Sequence, residues 1–190
     1  MPHPFILDQT FKGQNYSLNR LAKAEYENCT FESCSFLKSD LSNISFLECE
    51  FVDCDLSNAN LKQTTLKEIY FKRCKLLGLQ FNQCNDFFLS LRFEDCTLDF
   101  SSFYKLKLKN TPFRNCKMVS VDFTQTDLSS AIFQNCNLKN ALFHNSVLEK
   151  ADFRTAYNYS LDPEKNKINK AKFSEKGVIG LLAKYNIRIE

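Results

Sequence analysis

Tryptophan is absent from this chain, and glycine, proline and histidine are scarce: four, four and two in 190 residues. The glycines never form a phosphate-cradling loop, and neither a GxSxG nor an HExxH motif occurs. With only His3 and His144, and no CxxC pair among nine cysteines, the ligand spacing of a zinc site is missing. His144 directly follows an apolar position of the repeat and should point to solvent, and His3 sits at the N-terminal end. Neither has a carboxylate or nucleophile partner nearby in sequence. These absences argue against an enzyme and give no reason to expect a metal or a cofactor. No run approaches the ~18–20 apolar residues of a membrane span. The start, Met1-Pro2-His3-Pro4-Phe5-Ile6, lacks the basic residues and apolar stretch of a signal peptide. The expectation is a soluble cytoplasmic protein.

What the chain has instead is a large apolar residue at every fifth position. One train runs from Phe11 through Tyr16, Leu21, Tyr26 and Phe31 to Phe81 without an exception. A second starts at Phe88, after a spacing of seven, and continues through Phe93, Leu98 and Phe103 to Phe153. A period of five is neither the 3.6 of an α-helix nor the 2 of a flat strand. It predicts one short unit wound many times into a solenoid. The residue two before each core position is mostly Ala, Cys, Ser or Thr, so each pentad turns one large and one small side chain inward. The other three positions, rich in Asn, Asp, Glu, Lys, Ser and Gln, face outward.

Eight cysteines occupy that small position, and Cys84 is in the same phase at the break. Spacings of 20 stack them as Cys34/Cys54/Cys74, Cys29/Cys49 and Cys96/Cys116/Cys136. Buried free cysteine behaves as a small hydrophobe, and side chains stacked in parallel do not face one another as a disulfide requires. We therefore expect core thiols. Phe93, Phe113, Phe133, Phe153 and Phe173 are each 20 apart and should stack as a ladder.

Three segments follow along the chain. Residues 1–10 should form an irregular or strand-like cap, with Phe5 and Ile6 covering the first coil. Residues 11–173 should form the solenoid, with a break at 82–87 and an irregular loop at 154–165 marked by Asn, Ser and Pro. Residues 174–190 should form a C-terminal cap. In it Ser174 is an N-cap, and a helix weakened by Gly177 and Gly180 runs to about Lys184. Ile187 and Ile189 suggest a short strand.

Residues 25–55 carry Glu25, Glu27, Glu32, Asp40, Glu48, Glu50, Asp53 and Asp55 against Lys38 alone. Stacking by 20 puts Glu25, Glu27 and Glu48 on one face and Glu32, Glu50 and Asp53 on the next. This is either a solvated face or a docking surface for a basic partner. Basic residues cluster at Lys62–Lys75, Lys105–Lys117 and Lys167–Lys172. With no groove-reading helix and no aromatic platform in a regular solenoid, direct nucleic-acid binding is not expected.

The units Ala59-Asn60-Leu61, Cys136-Asn137-Leu138 and Ala151-Asp152-Phe153 resemble those of the pentapeptide-repeat family, over roughly residues 11–173. The resemblance implies an all-β solenoid, a right-handed quadrilateral β-helix with four pentads per coil and a C-terminal helical cap. The Phe- and Cys-bearing repeats, the break and the C-terminal segment are most similar to the group that protects type II topoisomerases. That group includes Qnr-type quinolone-resistance proteins and a microcin immunity protein. It implies a non-enzymatic DNA mimic that binds DNA gyrase or topoisomerase IV and protects it from quinolones or peptide toxins. Its partner surface would here comprise Glu25, Glu27, Glu32, Glu48, Glu50, Asp53 and Asp55. It also implies a homodimer through the C-terminal helix, with Val178, Ile179, Leu181, Leu182 and Tyr185 at the contact. Two departures stand out: the chain is slightly basic, at +3, and long side loops are absent. The alternative is a structural or interaction scaffold for another partner.

Overall fold

A computed structural model describes residues 4–188. His3 and Ile189 lie outside the described residues. The chain winds into a parallel solenoid whose coils repeat every 20 residues. Its strands are β1 Phe5–Leu7, β2 Thr10–Lys12, β3 Glu25–Glu27, β4 Thr30–Glu32, β5 Ser45–Leu47 and β6 Glu50–Val52. They continue as β7 Thr65–Lys67, β8 Ile69–Lys72, β9 Leu91–Glu94, β10 Pro112–Arg114 and β11 Ile132–Gln134. Four of them form one sheet in the order β1-β3-β5-β7, and seven form another in the order β2-β4-β6-β8-β9-β10-β11. The two sheets meet along one edge of the rod. The other two sides stack through isolated parallel bridges such as Ser35↔Asp55↔Lys75 and Gln80↔Ser102↔Asp122. Strands β1 and β2 pair in register with β3 and β4. Phe5 and Ile6, expected as a cover, thus belong to the first strand of a sheet.

The inward residues make the fold. Phe11, Phe31, Phe51, Phe71, Phe93, Phe113, Phe133, Phe153 and Phe173 stack face to face with centroids 4.7–5.4 Å apart. The expected five-ring ladder is therefore nine rungs long. Rings from neighbouring columns meet it edge-on, as Phe103 does Phe113 at 6.1 Å, which suits the quadrupoles of both. The nine cysteines are buried and unbridged. The Cys34/Cys54/Cys74 and Cys96/Cys116/Cys136 stacks join across the break, because Cys96 donates to the Phe71 carbonyl as Cys74 does to that of Phe51. The thiols are more than spacers, since each such bond satisfies a buried carbonyl of the preceding coil. Where the small residue is not cysteine, Thr64, Thr126, Ser146 and Asn166 do the same for Leu41, Phe103, Phe123 and Phe143. Burial pushes the Cys49 and Cys84 thiols up to about 12, so both stay protonated near neutral pH.

Each corner has a recurring conformation. Two residues after the core position the backbone turns left-handed; among the described residues 27 non-glycine residues have positive φ, nearly all of them at these corners, with Phe88 on the bulge and Asn186 in the cap among the exceptions. This is costly for most side chains. Asn and Asp tolerate it best, which accounts for their density in the outward positions. One corner column gains further bonds, with Asn135 donating to Asn115 at 3.1 Å and Asn115 to Asp95 at 3.0 Å.

The break keeps its register. Ile69 pairs with Leu91 and Phe71 with Phe93, so the two extra residues bulge out between Asn85 and Leu91. The expectation that Phe88 restarts the core fails. Phe88 is 65% exposed with φ +64°, and Leu89 packs against the core in its place. The extra residues shift the inward phase by one, and the shorter side chain fills the column.

The C-terminal α-helix is not formed either. Among the described residues the cap consists of two 3₁₀ turns, Gly177–Leu181 and Ala183–Tyr185. Ser174 does cap them, its Oγ accepting the Gly177 N–H at 3.0 Å. Gly177 and Gly180 lie directly on Tyr159. Docking on that ring and the Leu161 N–H bond to the Gly180 carbonyl at 3.0 Å set the path of the backbone. Ile187 lies in no strand.

Candidate interaction surface

Outward side chains form columns, and the columns define the surface. Glu25 and Glu27 lie on β3, Glu32 on β4 and Glu50 on β6. Glu48 is a left-handed corner residue between the two sheets, Asp53 follows β6, and Asp55 starts the next side. Glu27, Glu48 and Glu50 therefore border the edge where the sheets meet, with Glu25 at the start of β3, whereas Glu32 ends β4 and Asp53 forms the next corner, at the far edge of the second sheet, and Asp55 lies beyond it.

They are not equivalent. Glu32 pairs with Lys12 at 2.9 Å, and Asp53 takes a two-pronged bond from Arg73 at 2.7 Å. The Arg73 hydrogen bonds hold the Asp53 carboxyl below its ordinary range. Asp55 accepts the Ser57 N–H at 2.9 Å, which ties it to its own turn. Glu25, Glu27, Glu48 and Glu50 make no ion pair among the described residues, and Glu48 and Glu50 are exposed. The open part of the patch is thus those four glutamates.

The basic clusters divide similarly. Lys72 pairs with Glu94 at 3.4 Å and Lys109 with Asp127 at 3.4 Å. Lys117 reaches the buried Asp99 at 2.8 Å, and that carboxylate also accepts the Val119 N–H. Lys150, Lys167, Lys170 and Lys172, near the C-terminal end, are exposed and make no ion pair among the described residues. His144 is exposed, as its place after Phe143 requires. Among the described residues no group of three or more His, Cys, Asp or Glu is placed to hold a metal ion. Nor is any helix long and apolar enough to cross a membrane.

Of the five residues expected at a dimer contact, Val178, Ile179 and Tyr185 are exposed, Leu182 is half-buried and Leu181 packs on the core. Lys184 clamps the cap to the preceding loop, 2.8 Å from Asp162 and 2.7 Å from Glu164. Its hydrogen bonds hold both carboxyls below their ordinary range. Between this cap and the last coil lies an open cleft of about 580 Å³, lined by Tyr157, Tyr159, Ile179, Leu182 and Ile187 among others.

Two features escaped the sequence reading. Phe87 and Phe88 stand side by side on the bulge, 67% and 65% exposed, with ring centroids 4.1 Å apart. The signal was the seven-residue spacing itself, because two inserted residues cannot all face inward. The second is the column of corner residues along the edge between the sheets. It begins Asp8, Asn28, Glu48, Glu68 and, past the break, continues Asn110, Ser130, Lys150, Lys170, all with positive φ, while the Ile69–Leu91 register puts Ser90 between Glu68 and Asn110.

The description "pentapeptide repeat region" matches residues 24–86 and 87–157. Among solved structures, a trypsin-treated variant of QnrB1, a plasmid-mediated fluoroquinolone resistance protein, is 17% identical. It covers 98% of this chain and 100% of its own, with a TM-score of 0.64. A second trypsin-treated QnrB1 variant is 16% identical over 100% of both chains, with a TM-score of 0.62. Full-length QnrB1 is 21% identical, covers 96% of this chain and 100% of its own, and has a TM-score of 0.43. No curated protein matches.

Proposed function

The chain belongs to the pentapeptide-repeat family, and from that premise we propose that it is a non-enzymatic DNA mimic that binds a type II topoisomerase. The target is DNA gyrase or topoisomerase IV, and the consequence is protection from quinolones or peptide toxins. The supporting observation is the open group Glu25, Glu27, Glu48 and Glu50 along one edge of a solid rod. These glutamates lie on two successive coils about 4.8 Å apart, against one phosphate per ~3.4 Å on a DNA strand. A basic DNA channel would take such an edge in place of the duplex, with steering by the exposed charge. The likeness to QnrB1 supports the same reading through shared architecture. Dimerisation through Val178, Ile179 and Tyr185 would double the length of the rod.

The test is a gyrase supercoiling assay with a quinolone present. The protein should restore supercoiling, and the Glu48→Lys/Glu50→Lys chain should fold normally and fail to do so. Glu48 and Glu50 are the clean choice, whereas reversing Asp53 would also break its pair with Arg73. Neither protection nor inhibition at micromolar protein would refute the proposal. Capture of one distinct non-topoisomerase protein would favour the scaffold reading.

A further inference from the structure

Stacking gathers lysines at one corner of the last two coils. Lys170 sits on Lys150, since the Lys150 N–H bonds to the Asn169 carbonyl at 2.9 Å. Both are left-handed corner residues on the edge between the two sheet sides. Lys167 flanks this corner on one side, bridged to Val147, and Lys172 on the other, bridged to Asp152. All four lysines are exposed and make no ion pair among the described residues. The acids nearby are mostly taken. Arg154 holds Asp152 at 2.7 Å, and Lys184 holds Asp162 and Glu164 at 2.8 and 2.7 Å. Glu149, half-buried beside Lys150, is the carboxylate at this corner that stands outside an ion pair among the described residues. Four lysines against that glutamate leave the corner strongly positive. On the two sheet sides of these coils, the described outward residues include no exposed large apolar side chain.

We propose that this corner is a contact surface for the phosphate backbone of duplex DNA. Exposed cations on a convex ridge meet a polyanion that carries one charge per ~1.7 Å of helix axis. A groove-reading helix and an aromatic platform, which the sequence lacks, serve to read bases. Backbone contact needs neither, because phosphates carry no sequence information. Single strands fit less well, since they rely on stacking against aromatic side chains, and the exposed Phe87–Phe88 pair lies away at the break. An anionic membrane also fits less well, because binding to it grows with buried apolar area. The exposed Ile179 of the cap lines the cleft beside Tyr157, on a side of the rod that holds neither Lys167 nor the Lys150–Lys170 corner. The open glutamates border the same edge at the other end of the rod. Glu50 lies six coils, about 29 Å, from Lys172. The contact with DNA therefore needs no topoisomerase.

Fluorescence anisotropy of a short labelled duplex tests it, with the full chain titrated in and no topoisomerase present. Four phosphate contacts predict a slope of log K against log salt of about −3.6, which is roughly 150-fold weaker binding at about 200 mM salt than at about 50 mM. Lys150→Gln/Lys170→Gln should reduce the slope to about −1.8. That chain should melt as the wild type does, since Gln63 and Gln125 already hold the same left-handed corner conformation. Lys62→Gln/Lys75→Gln removes as much charge from exposed lysines near the middle of the rod and should leave the slope unchanged. A parallel arm measures capture on vesicles of phosphatidylserine and phosphatidylcholine, and the duplex should be bound in preference to them. The proposal is overturned by no duplex binding at ~100 µM protein in about 50 mM salt. It is equally overturned by a slope that the Lys150/Lys170 variant does not reduce, by an equal reduction in the Lys62/Lys75 control, or by capture on the vesicles without binding to the duplex.

Discussion

Gly180→Ala separates two accounts of the C-terminal segment by the sign of its effect. If residues 174–184 were an α-helix, alanine would stabilise it by about 1 kcal/mol through propensity alone. In the structure Gly180 sits in a 3₁₀ turn against Tyr159. A methyl group there would overlap the Tyr159 carbonyl oxygen and lie 2.8 and 2.9 Å from its ring carbons Cδ2 and Cε2. A backbone oxygen cannot swing away as a side chain can, so the cap must shift. Overpacking of this kind costs about 1–3 kcal/mol, and even after the propensity gain the net effect is loss. The loss is local, because the turn is tied to the rod by Leu181, by the Gly180 carbonyl bond and by Lys184. Trypsin cleavage at Lys184 should therefore accelerate by roughly tenfold for ~1.4 kcal/mol, while melting of the solenoid barely moves. Gly177→Ala is the control. Its methyl would meet the Tyr159 hydroxyl and, at 3.0 Å, Ser174 Oγ. Tyr159→Phe should then rescue Gly177→Ala but not Gly180→Ala. Slower cleavage of the Gly180→Ala chain, or a gain of helical dichroism, would refute this account.

The clamp around Lys184 should also open with acid. Asp162 and Glu164 have folded values below the ordinary carboxylate range, chiefly through their hydrogen bonds from Lys184. Their contribution is present above the unfolded range of about 4 and is lost as pH falls through the folded values. Hydrogen exchange at Val178 and Leu182 should rise there, and Lys184→Met should remove that dependence. Phe113→Ala should cost about 3–5 kcal/mol and Phe113→Leu under ~1.5 kcal/mol in urea unfolding. A Phe113→Ala value within ~1 kcal/mol of wild type would mean that the ring ladder does not hold the core. The nine thiols should resist Ellman's reagent in the native chain and all react in denaturant; rapid reaction of several in the folded protein would contradict their burial.

The interior was legible because a single rule repeats. A ring at every fifth position admits one solution, in which 20-residue coils stack Phe31 on Phe11 and Phe51 on Phe31. Errors arose where the rule lapses. At the break the phase had to move by one, and composition could not choose between Phe88 and Leu89. In the cap, Val178, Ile179, Leu181 and Leu182 read as a helical face, but the position of Tyr159 beneath Gly177 and Gly180 is a long-range fact that no local pattern contains. The acidic patch was legible as columns, yet pairing depends on neighbours one coil away. Lys12 and Arg73 neutralise Glu32 and Asp53, while Glu48 makes no ion pair among the described residues.

The exterior carries a second layer of information. Each corner demands a left-handed residue, and Asn satisfies that demand at Asn43, Asn58, Asn110, Asn140 and Asn145. Those positions are accounted for by backbone sterics alone. Lys38, Glu48, Glu68, Arg73, Lys105, Lys150 and Lys170 meet the same demand with residues less suited to it, and Phe88 and Phe100 meet it with one of the least suited. These departures are spread over all four sides, so corner conformation alone singles out no edge. What distinguishes the acidic edge is pairing: Glu25, Glu27, Glu48 and Glu50 make no ion pair among the described residues, whereas Glu32 and Asp53 are neutralised by Lys12 and Arg73. The functional claim therefore rests on those four glutamates rather than on the net charge.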